Sequence, residues 1–177
     1  MNFCSKMLLN VAVRATIMLA SEASAQLPPA TAGDDGAKIV TLHAEGAQIY
    51  ECKPDSGNKS SSEGPALTWQ FREPIATLIV DGKSVGRHYA GPNWDYFDGS
   101  GVKGKVVASA PGATSNDIPW LKIDVVDHRN SGILSDVTTV QRINTKGGVA
   151  QGSCQKAGEY LSVPYSADYV FLPPHRR

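Results

Sequence analysis

The sequence predicts an all-β fold, an antiparallel sandwich or barrel of about nine or ten strands with one disulfide bond. Three observations support this prediction. Runs rich in Val, Ile, Thr, Tyr and Phe recur at short intervals, turn residues separate them, and no long helical pattern interrupts them. The connections are also too short for the crossovers that parallel strands need, so neighbouring strands are expected to pair antiparallel.

Glycine-containing turns set the order of the predicted strands. Glu45-Gly46 predicts a first hairpin, while Asp81-Gly82 and Asp98-Gly99 predict two more further along the chain. The segment 67–72 alternates apolar and polar residues, which is typical of a strand that is buried on one face. The predicted strands span residues 38–44, 47–53, 67–72, 76–80, 83–90, 93–97, 102–110, 121–125, 138–144 and 169–172.

The first 25 residues have the composition of a secretory signal peptide. Lys6 precedes an apolar run at residues 7–20, and Ala23-Ser24-Ala25 supplies the small residues that a signal peptidase requires. Arg14 interrupts the run, which does not reach the roughly 20 apolar residues of a membrane span. The sequence therefore predicts a periplasmic or extracellular protein with no membrane insertion.

Cleavage after residue 25 would leave a polar leader at residues 26–37 and a single β domain at residues 38–177. The leader has no periodicity and contains Pro28-Pro29, so we expect it to be flexible. The whole chain carries 17 basic and 17 acidic residues, and removal of the signal peptide changes the net charge only to −1. Without a basic stripe, this composition predicts no nucleic-acid partner.

Cleavage would also remove Cys4 and leave Cys52 and Cys154 as the two cysteines of an exported domain. Because exported proteins meet an oxidising compartment, the sequence predicts a disulfide bond between them. Two unpaired buried thiols are the alternative. Closing a loop of about 100 residues is worth on the order of 4 to 5 kcal/mol of stability if the bond restricts the unfolded chain.

Two sequence motifs suggest enzymes, but their surroundings contradict both. Residues 99–104 spell G-x-G-x-x-G, yet the following segment is short and ends at Pro111-Gly112, so the helix of a dinucleotide site is missing. Ser84 lies in a G-x-S-x-G sequence, but it follows an Asp-Gly turn inside a predicted hairpin. The sequence predicts no catalytic residue, no cofactor and no metal site.

The clearest candidate binding site is the aromatic and polar segment at residues 87–97. A flat aromatic ring beside an acid and an amide is typical of sites for sugars and other small polar ligands. In the alternative interpretation, Trp94 and Tyr96 share one strand face and pack into the core. The candidate ligand-binding residues are His88, Tyr89, Asn93, Trp94, Asp95 and Tyr96.

Three functions follow from this interpretation. The first is a non-enzymatic exported domain that binds a small molecule, a glycan or an envelope protein at that segment. The second is a secreted hydrolase or metalloenzyme, in which His88 and His128 would approach an acid such as Asp95 or Asp127 to about 3 to 4 Å. The third is a structural or protein-interaction module, which would have no concave polar pocket.

Four segments of the sequence, together with Cys154, resemble a family of exported bacterial and fungal proteins that is known only as a domain of unknown function. These segments are LHAEGAQIYEC at residues 42–52, HYAGPNW at 88–94, TTVQRINT at 138–145 and VPYSADYVF at 163–171. The resemblance implies one exported domain with paired cysteines and names no reaction. Some fungal relatives are labelled malate dehydrogenase, but we do not transfer this label because the helix of a dinucleotide site is missing here.

Overall fold

The computed structural model describes residues 40–55 and 66–174. The predicted signal peptide at residues 1–25 and the predicted leader at 26–37 lie outside the described residues. This part of the chain contains eight strands. They are β1 (Val40–Pro54), β2 (Leu67–Val80), β3 (Lys83–Tyr89), β4 (Asn93–Tyr96), β5 (Gly101–Ala110), β6 (Trp120–Arg129), β7 (Thr139–Gly147) and β8 (Tyr160–Leu172).

The eight strands form a closed barrel in which each strand pairs antiparallel with its neighbours in the sequence. The barrel closes where β1 pairs with β8 along most of its length, from Val40 opposite Phe171 to Glu51 opposite Tyr160. The predicted all-β antiparallel fold is therefore confirmed. The part of the chain that the structure describes contains no helix that is long and apolar enough to cross a membrane.

The number of strands is lower than predicted because two pairs of predicted strands are each continuous. Glu45-Gly46 is not a turn but lies within β1, where β2 passes so close that a Cβ atom at Gly46 would collide with Ile75 and Ala76. The glycine is therefore needed for the close approach of two strands. In the same way, residues 67–72 and 76–80 join through Pro74 into β2.

Apolar side chains fill one end of the barrel. Leu42, Leu78, Val140 and Phe171 are fully buried there, because alternate residues of a strand point to the same side of the sheet. The connection between β6 and β7 covers this end with Leu134. Asp98 holds the cover in place because its carboxylate accepts hydrogen bonds from the Ser100 and Ile133 backbone N–H groups, both at 2.8 Å.

The disulfide bond and the connection between β7 and β8 lie at the opposite end of the barrel. Cys52, near the end of β1, is bonded to Cys154 in the connection between β7 and β8, which confirms the predicted pair. The backbone N–H and carbonyl of Cys52 also form hydrogen bonds with Glu159 and Gly158. The Tyr50 hydroxyl donates to the Gly148 carbonyl at 2.7 Å, so the β7–β8 connection is attached to β1 at several points.

Gly104 allows Trp94 to lie in the middle of the barrel, because a Cβ atom at this position would collide with Ile123 and press on the Trp94 ring. We expect Gly104→Ala to lower the free energy of unfolding by about 1 to 3 kcal/mol through overpacking. Urea denaturation measures this change, with Lys105→Ala at the neighbouring exposed position as the control. An unchanged unfolding midpoint for Gly104→Ala would contradict the expected crowding.

Candidate functional site

A pocket of about 380 Å³ occupies the interior of the barrel at the end that the disulfide bond flanks. Residues from all eight strands line it, from Gln48 on β1 to Tyr169 on β8, so it lies in the lumen and not on the outer wall. Phe71 and Val106 also line it, and they are 56% and 45% exposed. These two side chains therefore mark the mouth of the pocket.

Three aromatic rings form the deep wall of the pocket. Trp94 stacks on His88 with 4.6 Å between the ring centroids and 13° between the ring planes. Tyr169 meets the Trp94 ring edge-on at 5.4 Å. The register produces the stack, since His88 on β3 lies directly opposite Trp94 on β4. All three side chains are buried, so they form a closely packed aromatic wall.

His88 is neutral in the folded protein. Burial lowers the pKa of its imidazole to about 3, although the hydrogen bond to Asn93 acts in the opposite direction. The Nδ1 atom lies 2.8 Å from the Asn93 carbonyl oxygen. Because a carbonyl only accepts hydrogen bonds, Nδ1 carries the proton and Nε2 is left as an acceptor. His88 therefore contributes an aromatic face and one acceptor atom to the lumen, without a charge.

Arg142 brings a positive charge into the pocket. Its side chain projects inward from β7, and the residue is only 9% exposed. The Nε and Nη2 atoms donate hydrogen bonds to the Pro119 carbonyl at 3.0 and 2.8 Å. Burial raises the pKa of the Tyr169 hydroxyl, whereas the charge and the hydrogen bond of Arg142 oppose this increase. Tyr169 is thus a polar neighbour of the guanidinium.

Gln48 is a buried amide on β1 that lines the same pocket and is 2% exposed. It lies near the Tyr165 hydroxyl. Burial raises the pKa of this hydroxyl, and the Gln48 amide partly opposes the increase. Within residues 40–55 and 66–174, however, no acceptor is within hydrogen-bond geometry of Gln48 Nε2 or of Trp94 Nε1. Buried donors of this kind are uncommon in folded proteins.

On the outer wall, a separate polar network surrounds Asp95. Its carboxylate accepts hydrogen bonds from Arg87 at 2.8 and 2.9 Å and from Arg129 at 2.6 Å. The Arg87 guanidinium also lies 4.8 Å from the centroid of the Tyr89 ring, and Arg129 donates to the Asn93 side-chain oxygen at 3.0 Å. These residues mainly bind one another, which reduces their capacity to bind a ligand.

The six residues predicted as a ligand site are therefore divided between two sides of the barrel wall. His88 and Trp94 face the lumen, whereas Tyr89, Asn93 and Asp95 belong to the outer network. Tyr96 is partly buried and packs against the core. Adjacent residues of a strand point to opposite faces, so a cluster that is compact in sequence is separated in space. Whether any of the six binds a ligand stays a prediction.

Sequence reasoning missed most of the pocket lining, including three polar residues, Gln48, Arg142 and Tyr169. Arg142 follows the buried Val140 by two positions on β7, so strand alternation assigns both residues to the same face. The sequence signal that could have identified Arg142 is a charged residue on the same strand face as a buried apolar residue. What brings the three residues together is the closure of β1 and β7 on either side of β8, which the local sequence does not encode.

The histidines predicted for an enzymatic site do not converge with the acids. The His128 Nε2 atom lies 2.8 Å from the Val137 carbonyl oxygen, and His88 Nδ1 binds the Asn93 carbonyl. Asp95 binds arginines on the outer wall instead. In the described part of the chain, no three His, Cys, Asp or Glu side chains are grouped so that they could hold a metal ion.

One protein family, described as "Protein of unknown function (DUF3455)", has a sequence model that matches residues 79–173. The chain belongs to this family. The match to DUF3455 covers β3 to β8 and contains His88, Trp94, Arg142 and Tyr169. No curated protein and no solved structure matches the chain.

Membership of DUF3455 does not require the malate dehydrogenase label that some fungal relatives carry. The G-x-G-x-x-G sequence at residues 99–104 leads from a turn into β5, and β5 continues to Ala110. A dinucleotide-binding fingerprint needs these glycines to open a helix whose N-terminus faces the pyrophosphate. In this member of DUF3455, the glycines open a strand.

Proposed function

We propose that this protein binds a small, largely apolar molecule inside the barrel and does not act primarily through its outer surface. The observation that carries the proposal is the pocket of about 380 Å³ that all eight strands line. Its volume lies at the lower end of the range of about 300 to 1,000 Å³ that is typical of small-molecule sites. Eight-stranded barrels have a lumen of the right width for one small ligand.

The asymmetry of the barrel supports this proposal. Leu134 and its apolar neighbours fill one end of the lumen, whereas Phe71 and Val106 stand around an opening at the other end. A barrel whose role was only structural would be expected to fill both ends with side chains, because protein interiors are close-packed. The open half, walled by Trp94 and His88, therefore favours a binding role over a purely structural one.

The chemistry of the walls favours a small organic molecule over a glycan. The wall consists mainly of aromatic and aliphatic side chains such as Trp94, Leu121 and Ile123, with a few polar groups between them. On the outer wall, where Tyr89, Asn93 and Asp95 were candidates for binding a small polar ligand or a glycan, these residues already form hydrogen bonds within a network that includes two arginines. We therefore place the ligand in the lumen.

We also propose that the domain acts outside the cytosol, in the periplasm or extracellularly, after removal of residues 1–25. The disulfide bond between Cys52 and Cys154 supports this proposal, because such bonds persist mainly in oxidising compartments. In this proposal, residues 26–37 are a flexible leader and residues 38–177 form one domain. Sequencing the N-terminus of the protein recovered from outside the cytosol tests the cleavage site directly.

Binding of N-phenyl-1-naphthylamine, a neutral apolar dye that fluoresces when it leaves water, tests the proposed function. We expect saturable 1:1 binding to the wild-type protein, and we expect Val106→Trp to weaken it about tenfold or more because the indole would occupy the mouth. Val107→Trp is the matched control, since Val107 is the neighbouring exposed residue and does not line the pocket. No saturable binding, or equal weakening by both variants, would overturn the proposal.

A further inference from the structure

We infer that the natural ligand is an amphiphilic anion whose oxyanion group, a carboxylate or a phosphate, pairs with Arg142 inside the barrel. This inference rests on the proposed function, since it names the chemical class of the molecule in the same pocket. It would make Arg142 the residue that selects the ligand, while the aromatic and aliphatic wall would hold the apolar part.

Among the residues that the structure describes, Arg142 is a buried arginine without an acidic partner. Arg142 is 9% exposed, and within residues 40–55 and 66–174 no salt bridge joins it to a carboxylate. Burying a cation is costly unless it is paired, and buried charges in proteins are normally paired or hydrogen-bonded. The Pro119 carbonyl and the Tyr169 hydroxyl are neutral groups, so they solvate the charge without neutralising it.

The charge of the whole pocket also favours an anion. Its lining includes Arg72 and Arg142 but no aspartate and no glutamate. Arg72 is paired with Glu73 at 3.1 Å, which leaves Arg142 as the principal charge of the lumen. His88 is neutral because burial lowers its pKa to about 3. The pocket is therefore net positive, and it favours a ligand of opposite charge.

Arg142 also has hydrogen-bonding capacity for a ligand. A guanidinium has five N–H donors, and its contacts with Pro119 and Tyr169 leave donors for a further acceptor. Carboxylates and phosphates are the acceptors that an arginine binds most strongly, often through two parallel hydrogen bonds. Because the pocket walls are apolar, the attraction between the two charges is stronger here than it would be in water.

Competition against the bound dye, with ligands that share one alkyl chain, tests this inference. Decanoate and decyl phosphate carry an oxyanion, whereas 1-decanol has the same chain without a charge. For the wild-type protein, we expect at least one of the two anions to compete about tenfold or more better than 1-decanol, since a hydrogen bond to a charged group typically contributes that much. The relative affinities of decanoate and decyl phosphate then identify the preferred head group.

Arg142→Gln shows whether Arg142 produces this preference. We expect the variant to lose the preference for the anion, so that the anion and 1-decanol compete about equally well against the dye. Arg87→Gln is the matched control, because Arg87 lies on the outer wall with a largely exposed side chain, and it should retain the preference. A preference that survives in Arg142→Gln would overturn the assignment to this residue.

The outcomes separate the inference from the proposed function. If the wild-type protein binds all three compounds equally well, the inference is wrong and the proposed function stands. If it binds neither the dye nor any of the three, the proposed function is wrong as well. The comparison of ligands on the wild-type protein does not depend on any variant, so the inference is testable even if Arg142→Gln fails to fold.

Discussion

Removal of the disulfide bond is expected to lower the free energy of unfolding by about 4 to 5 kcal/mol. Cys52 and Cys154 are separated by 102 positions, so the bond closes a loop that contains most of the described domain. An unfolded chain with this cross-link has far fewer conformations than an open one, and that difference stabilises the folded state. Urea denaturation of the double variant Cys52→Ala/Cys154→Ala, compared with the wild type, measures the change.

Reduction of the wild-type protein provides the control for this prediction. Dithiothreitol should destabilise the wild type by a similar amount and should leave the double variant unchanged, since the variant has no bond to reduce. Thiols at positions 52 and 154 should react with a thiol reagent only after reduction. A loss of stability below about 1 kcal/mol, or reactive thiols at both positions in the native protein, would contradict the prediction.

Acid is expected to destabilise the protein through His88. The pKa of this imidazole is about 3 in the folded protein, against an ordinary value of about 6.5 in an unfolded chain. Between these two values the unfolded state binds a proton that the folded state excludes, so stability increases with pH across this window and falls as the pH is lowered. A shift of this size corresponds to several kcal/mol over the whole window.

Urea denaturation at pH 7, 6, 5 and 4 measures this effect. His88→Gln removes the titrating group, so its stability should vary much less with pH than that of the wild type. Asp95, Asp98 and Asp117 have lowered pKa values and also lose their stabilising contribution in acid, but at lower pH and in both proteins. His128→Gln controls for the loss of a histidine elsewhere. Parallel stability curves for the wild type and His88→Gln would contradict the assignment.

The fold could be predicted largely because its signals are local. Asp81-Gly82 was predicted to be a hairpin turn, and the structure places both residues at positive φ, 48° and 73°, between β2 and β3. Glu45-Gly46 gave the same signal in the sequence and is not a turn. There the glycine is required by a strand from another part of the chain, which a local pattern does not reveal.

The candidate site was harder to predict because barrel closure assembles it. His88 and Trp94 were identified because they are near each other in the sequence and carry aromatic rings. Arg142 and Gln48 come from strands that meet the same lumen only after β1 has paired with β8. The disulfide bond also joins distant parts of the chain, but it was predictable because only two cysteines remained to be paired.

Leu134 and its apolar neighbours fill one end of the barrel, and this has a kinetic consequence for any molecule that binds in the lumen. In the part of the chain that the structure describes, this end is blocked, so a ligand would enter and leave by the opening beside Phe71 and Val106. Cys52 follows the pocket-lining Tyr50 by two positions on β1, and its bond to Cys154 attaches the β7–β8 connection near this opening. Changes in that connection should therefore change the rate constants of capture and release by the same factor, so that the residence time shortens as capture becomes faster and the dissociation constant stays nearly unchanged.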